Sequence, residues 1–200
     1  MKFDEAYWSG KYRQQLMGWD TGSITTPLKE YIDQLADKNI RILVPGCGNG
    51  HEVKYLHDQG FNNVVVVDIS SEPYKELRGK CSNWGEESFV VDDFFNINGQ
   101  YDLIVEQTFF CALNPKLRQN YSDKMHDLLA PNGKLVGVLF KVFFAGDNPP
   151  FGGNRDEYVE YFEDKFKFNV FDDCYNSIKP RIGEELFINL IKAENISRSA

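Results

Sequence analysis

An apolar run, IRILVP from Ile40 to Pro45, breaks into three alternate glycines, Gly46, Gly48 and Gly50, and then turns helical. Buried strands of parallel sheets read as continuous apolar runs. A strand that ends in a glycine turn and opens a helix is the first half of a βαβ unit. Glycine tolerates the positive φ of such a turn and lets a bound molecule approach the backbone. The following helix presents free N–H groups and a positive dipole end, which favour a carboxylate or a phosphate. About 20 residues on, the next apolar run ends in Asp68, placed to take both hydroxyls of a ribose. Strand, glycine turn, helix, strand and acid together read as a nucleoside-ligand site.

The glycine spacing narrows the ligand. The dinucleotide fingerprint is G-x-G-x-x-G, and here the position of its third glycine holds His51, which disfavours a pyrophosphate. No Gly-Lys-Ser/Thr follows the turn, so a phosphate-binding P-loop is excluded. S-adenosylmethionine satisfies the pattern, with a zwitterionic head for the helix N-terminus and a ribose for Asp68. Two rival readings share this first strand and acid: an adenosine-dinucleotide oxidoreductase, and an S-adenosylmethionine-binding regulator or scaffold without turnover.

Further along, the elements alternate. Leu28, Tyr31, Ile32 and Leu35 recur at helical spacing behind Thr26-Pro27, which predicts an N-cap and a first helical residue. Gly60 is expected to close the helix after the glycine turn. Ser70 is placed to cap a helix running to about Cys81, and strands are expected near Ser88 to Val91 and over YDLIVE, Tyr101 to Glu106. Leu117, Tyr121, Met125, Leu128 and Leu129 mark another helix. A Pro131-Asn132-Gly133 turn leads into KLVGVLFKVFF, too short for a membrane span and suited to a buried strand. Asn154 and Glu157 match a capping box. FKFNVFD and ELFINLIK have no long helix between them, which predicts an antiparallel pair closing a mostly parallel α/β sheet.

No linker, repeat or low-complexity tract divides the 200 residues, so one domain over residues 1–200 is expected. The formal charge of −8 disfavours extensive phosphate-backbone contact and points to a small-molecule partner rather than nucleic acid. No run reaches membrane-span length. Four scattered cysteines without C-x-x-C, and a start without an apolar signal region, point to a reducing cytoplasm. His51, His57 and His126 lack metal-ligand spacing, so no metal is expected. In open α/β sheets ligands lie beyond the carboxyl ends of the strands. Those ends collect Gly46, Cys47 and Gly48, then Asp68 and Ile69, then Asp93 and Phe94, and then Glu106 and Gln107. Asp93 is placed to accept from an adenine amino group, and the Phe94 ring to cover the base.

Five motifs carry a family resemblance over nearly the whole chain: YWSGKY at Tyr7 to Tyr12, GWDTG at Gly18 to Gly22, VPGCGNGHEV, VVDIS, and EQTFFCALNP at Glu106 to Pro115. In these the sequence resembles the thiopurine methyltransferase family, and within it the thiol and halide methyltransferase branch. The resemblance implies a seven-stranded, Rossmann-like class I methyltransferase fold, mostly parallel with an antiparallel C-terminal strand and with helices on both faces. It implies S-adenosylmethionine as donor and a soft nucleophile, sulfur or halide, as acceptor. It also implies that Trp8, Tyr12 and Trp19 belong to an N-terminal lid, residues 1–26, over donor and acceptor.

Two departures bear on the acceptor. Tyr12 stands where the lid motif commonly has Trp, and Gln107 where the thiopurine enzymes carry Arg. Phe109 and Phe110 fit the thiol and halide branch, and with Phe151 they would build an apolar, water-poor acceptor pocket. The stretch Asn148-Pro149-Pro150-Phe151 looks like the N-P-P-aromatic motif of amino-methylating DNA enzymes, but it follows the fifth strand instead of the fourth and reads as a substrate-side loop. Methyl transfer from a sulfonium is an in-line displacement that needs orientation and exclusion of water more than a strong acid or a metal. Tyr12, Arg118 and Arg181 are candidates for guiding or polarising an anionic acceptor. A monomer or weak dimer is expected.

Overall fold

Seven strands share one sheet in the computed structural model, which describes residues 2–194. They are β1 Ile42–Pro45, β2 Val64–Asp68, β3 Phe89–Val91, β4 Tyr101–Gln107, β5 Leu129–Phe140, β6 Phe166–Asp173 and β7 Glu185–Lys192. The order across the sheet is β3-β2-β1-β4-β5-β7-β6. The first five pair in parallel, and β7 runs antiparallel to both β5 and β6, as the two C-terminal runs predicted. The helices are α1 Glu5–Arg13, α2 Thr26–Asp33, α3 His51–Asp58, α4 Tyr74–Lys80, α5 Arg118–Leu128 and α6 Arg155–Phe162. The ends of the expected 1–200 domain, residue 1 and residues 195–200, lie outside the described residues.

Strand residues alternate between two covered faces. Leu43, Ile104, Leu135 and Leu139 face α5 and α6, where Tyr121, Met125 and Phe162 complete one apolar cluster. Ile42, Val44, Val105 and Val136 face the other way, against Leu28 and Ile32 of α2 and Val53 and Leu56 of α3. Burial on both faces explains why these strands read as unbroken apolar runs.

Several local expectations shift, among them Leu129, which begins β5, and the Pro131-Asn132-Gly133 turn, which lies within that strand. The cap of α2 is Thr25, one residue earlier than predicted, and its hydroxyl donates to Gln107 Oε1 at 3.0 Å instead of capping the helix. Ser70 does not cap α4, which starts at Tyr74 behind Pro73. The Ser70 side chain is fully buried, and its Oγ sits 2.7 Å from Ser9 Oγ of α1. The KLVGVLFKVFF run leaves the sheet at Phe140, because the pairing of β5 with β7 ends at Phe140 and Glu185. Phe143 beyond it is 76% exposed. The capping box is half made: Asn154 Oδ1 accepts from the Glu157 N–H at 2.9 Å, while the Glu157 carboxylate turns to Arg118. Gly60 ends α3 as expected, with φ +82°.

Candidate active site

The strand order reverses between β1 and β4, and the glycine turn leaves β1 at that switch point. Gly46 and Gly48 have φ of +60° and +55°, a region costly for residues with a β-carbon. The space left by their missing side chains is bounded by the protein's own rings. A β-carbon on Gly46 would lie 2.3 Å from Phe109 Cδ2, and one on Gly48 would lie 3.2 Å from Trp19 Nε1. Gly50 serves a different purpose from the ligand room expected of it. It precedes α3 in a left-handed conformation and lets Leu77 of α4 pack where a β-carbon would sit.

Above the turn opens a cleft of about 1130 Å³. Ligand pockets usually measure roughly 300–1,000 Å³, so this one has room for a nucleoside donor and an acceptor together. Asp68 ends β2 on its floor, only 7% exposed. Its Oδ1 accepts from the Ser70 N–H at 2.9 Å, and the Cys47 thiol, 3.9 Å from Oδ2, and the Tyr12 hydroxyl face it. Burial pushes this carboxyl up to about 6, against hydrogen bonds that favour its ionised form. The thiol is a weak donor, and a carboxylate accepts at several lone pairs, so Asp68 keeps acceptor capacity for ribose hydroxyls.

Ile69, Asp93, Phe94 and Phe109 line the same cleft. Asp93 Oδ1 accepts from the Phe95 N–H at 2.9 Å, so the residue shapes its own turn while its side chain stays exposed at the cleft wall. The Phe94 and Phe109 rings meet edge to face, 5.1 Å between centroids. A buried carboxylate with spare acceptor capacity, a glycine turn and an aromatic wall fit the ribose, the methionine chain and the base of S-adenosylmethionine.

The N-terminal segment closes one side. Asp4 caps α1, and Trp8, Tyr12 and Trp19 all line the cleft. Trp19 packs edge to face with both Trp8 and Tyr12, at 5.6 Å in each case. Burial, with Asp68 and Cys47 nearby, holds the Tyr12 hydroxyl well above its usual range, so it remains a neutral donor. Asp20, which sequence reasoning passed over, ties the segment to the glycine turn: its carboxylate accepts from His51 Nε2 at 2.6 Å, Asn49 Nδ2 at 2.7 Å and the Gly22 N–H at 3.0 Å. These bonds hold Asp20 below the ordinary carboxylate value although burial opposes them. An Asp two residues before a Gly is an Asx-turn signal, and that alone marked it.

Several predicted site residues lie elsewhere. Glu106 is fully buried; it accepts from the Phe109 and Phe110 N–H groups at 2.8 and 3.0 Å and from the Tyr121 hydroxyl at 2.6 Å, so it holds the turn after β4 and faces no ligand. Phe110, 1% exposed, packs on Tyr121 and Tyr158 in the core, because the turn that points Phe109 outward points its neighbour inward. Arg118 is 2% exposed and pairs with Glu157, donates to the Gly152 carbonyl and lies over Phe110 and Tyr158. It is a structural clamp and does not reach the cleft. Phe151 packs on Phe3 at 5.6 Å and donates its N–H to the Cys111 carbonyl, beside the cleft wall and not in it. Cys47 and Gln107 line a small recess under the glycine turn, with Glu52 and His51. Arg181 does line the cleft, with its guanidinium engaged by Glu185 at 3.2 Å and by the Trp19 carbonyl at 3.0 Å. Among the described residues no cluster of His, Cys, Asp and Glu suits a metal, and no helix is long and apolar enough to cross a membrane.

Comparison with known proteins identifies a family. The profile described as thiopurine S-methyltransferase (TPMT) matches residues 3–190. The chain is 31% identical over 156 residues to probable thiol methyltransferase 2 of Arabidopsis thaliana, covering 76% of this chain and 69% of that protein. It is 31% identical over 153 residues to thiocyanate methyltransferase 1 of Brassica oleracea, covering 74% and 67%. Among solved structures, the Burkholderia thailandensis 1,6-didemethyltoxoflavin-N1-methyltransferase with bound S-adenosylhomocysteine superposes with a TM-score of 0.75 at 19% identity, covering 95% of this chain and 87% of the other, which shows a shared fold. The chain is an S-adenosylmethionine-dependent methyltransferase and belongs to the thiopurine S-methyltransferase family.

Proposed function

We propose that the acceptor is a small thiol, hydrosulfide, thiocyanate or another soft anion. The observation that carries this reading is the apolar wall beside the glycine turn, where Phe109 contacts Gly46 and Phe94, Phe140 and Leu113 continue the lining. A polarisable sulfur nucleophile needs little hydrogen bonding there. The printed names of the two plant relatives point to the same class of acceptor. A thiopurine asks for polar edge contacts. The strand-end position that would offer a basic group is Gln107, which lies in the recess below and is bonded to Thr25.

When bound, S-adenosylmethionine supplies an electrophilic methyl group on a positively charged sulfur. Asp68 would hold the ribose, Gly46 and Gly48 the methionine chain, and Ile69, Asp93 and Phe94 the adenine. Trp8, Tyr12 and Trp19 would cover the donor and keep water from the reacting centre, which favours a desolvated nucleophile. Tyr12, neutral and beside Asp68, would orient without taking a proton. A thiol is already partly ionised near neutral pH, so no strong base is required of the chain.

The charge of −8 supports a small-molecule partner over nucleic acid. Four free, buried cysteines support a reducing compartment, the cytoplasm, and we propose a monomer or weak dimer there. Incubation with methyl-labelled donor and a panel of hydrosulfide, thiocyanate, iodide, small thiols and thiopurines tests the acceptor. Methylation confined to oxygen or nitrogen acceptors would overturn it.

A further inference from the structure

Arg181 stands in the short turn between β6 and β7, 8% exposed, with its guanidinium 5.1 Å from the Phe140 ring centroid. Its charge is already matched: Nη1 lies 3.2 Å from Glu185 Oε1, and Glu185 is 2% exposed. A buried cation so paired is a weak attractor for a second anion. Its remaining contact reaches across the cleft, where Nη2 donates to the Trp19 carbonyl at 3.0 Å. Trp19 is the hub of the N-terminal aromatic group. Its ring lies beside Gly48 and packs edge to face with Trp8 and Tyr12. The next residue, Asp20, is tied to a second element, by Asn49 and His51 at the glycine turn.

We propose that Arg181 is a positioning residue that acts through Trp19: with Asp20 it latches the N-terminal segment across the cleft and so sets how long the donor and its demethylated product stay bound. The inference rests on the reading of the cleft as the donor site. Two adjacent residues are held from two different elements, by the β6–β7 turn at Trp19 and by the β1–α3 turn at Asp20. The segment leading to them has few ties of its own: Leu16 is 52% exposed, and Gln15 has a φ of +56°. A stretch with few buried contacts opens by local unfolding, and the two ties at its end govern that opening. Arg181 then influences every ligand under Trp19, including those with no acceptor present.

The test compares Arg181→Met and Asp20→Asn with the parent protein, using S-adenosylhomocysteine alone as the probe. Calorimetry gives affinity, stopped-flow displacement gives the dissociation rate, and hydrogen exchange follows residues 14–24. Each variant is expected to release the product about tenfold faster, on the order of 1.4 kcal/mol of lost retention, with faster exchange in that segment. Because both ties hold one element, the double variant should gain less than the product of the single effects. Unchanged release in Arg181→Met, with only the acceptor KM raised, would overturn the latch and make Arg181 an acceptor contact. Should Arg181→Met fail to fold, Asp20→Asn decides alone, since Asp20 belongs to no buried ion pair; unchanged release there refutes the proposal. Failure of the parent protein itself to bind S-adenosylhomocysteine would instead refute the assignment of the cleft.

Discussion

Phe109 occupies the place of the side chain that Gly46 lacks: a β-carbon built on Gly46 falls 2.3 Å from Phe109 Cδ2. The turn after β1 and the turn after β4 are thus packed into each other. Gly46→Ala places a β-carbon against that ring and on a backbone with φ of +60°. We expect a loss of about 2 kcal/mol in stability, and weaker donor binding as Phe109 is displaced into the cleft. Urea unfolding without ligand, followed by calorimetry with S-adenosylhomocysteine, measures the two effects; a variant as stable as the parent would mean the rings part freely.

Asp68 should show opposite pH dependences in binding and in stability. Accepting from ribose hydroxyls requires the ionised carboxylate, so donor affinity should fall as the pH drops through about 6. Because burial raises its folded-state value above the unfolded 3.8, the folded chain binds this proton more tightly. The contribution of Asp68 to stability therefore increases as the pH falls from above 6 toward 3.8. Asp68→Asn should remove both dependences and weaken donor binding by roughly 1.5–3 kcal/mol. Equal donor affinity in the two proteins across this range would show that Asp68 does not touch the ribose.

Glu106 organises the wall, and its removal should be read in stability. Glu106→Ala leaves the buried Phe110 N–H, the half-buried Phe109 N–H and the buried Tyr121 hydroxyl unpaired, at a cost of about 3 kcal/mol. Glu106→Gln keeps a carbonyl acceptor for the two N–H groups and should lose less than half of that. Comparable losses in chemical denaturation for the two variants would show that the hydrogen bonds are not what matters.

Arg118→Met tests the clamp. Its partner Glu157 remains one-third exposed and can regain solvent, so the loss should be about 2 kcal/mol, below the usual cost of breaking a fully buried pair. The kcat and KM of the folded protein should stay at parent values. A kcat reduced tenfold or more in protein shown to be folded by circular dichroism would return Arg118 to the reaction.

For the acceptor, hydrosulfide, thiocyanate or a small thiol should give a higher kcat/KM than any thiopurine, as differential transition-state binding in an apolar pocket. Steady-state kinetics on both sets decides the matter, and a clear thiopurine preference would show the aromatic wall to be misread.

How far the chain could be read before folding depends on the range of the interaction involved. The strands, the glycine turn, Asp68 at a strand end and the antiparallel C-terminal pair were legible, because alternation, apolar runs and glycine conformations are properties of neighbouring residues. Errors arose where a side chain had two possible partners. The Thr25 hydroxyl donates to Gln107, and the Ser70 hydroxyl pairs with that of Ser9 and accepts from the Glu72 N–H; neither caps the helix that follows it. Phe109 and Phe110 are adjacent and chemically alike, and only the turn held by Glu106 sends one to the cleft and the other to the core.

What the sequence alone determined is the family and the α/β architecture, each written in short motifs with local geometry. The tertiary structure decided which charged residues face the cleft and which are already bound. Arg118 meets Glu157 from 39 positions away, and Arg181 reaches the Trp19 carbonyl from 162. An arginine takes its role from whichever acceptor the fold brings to it, and the desolvation that fixes such a pair exists only once the layers have packed.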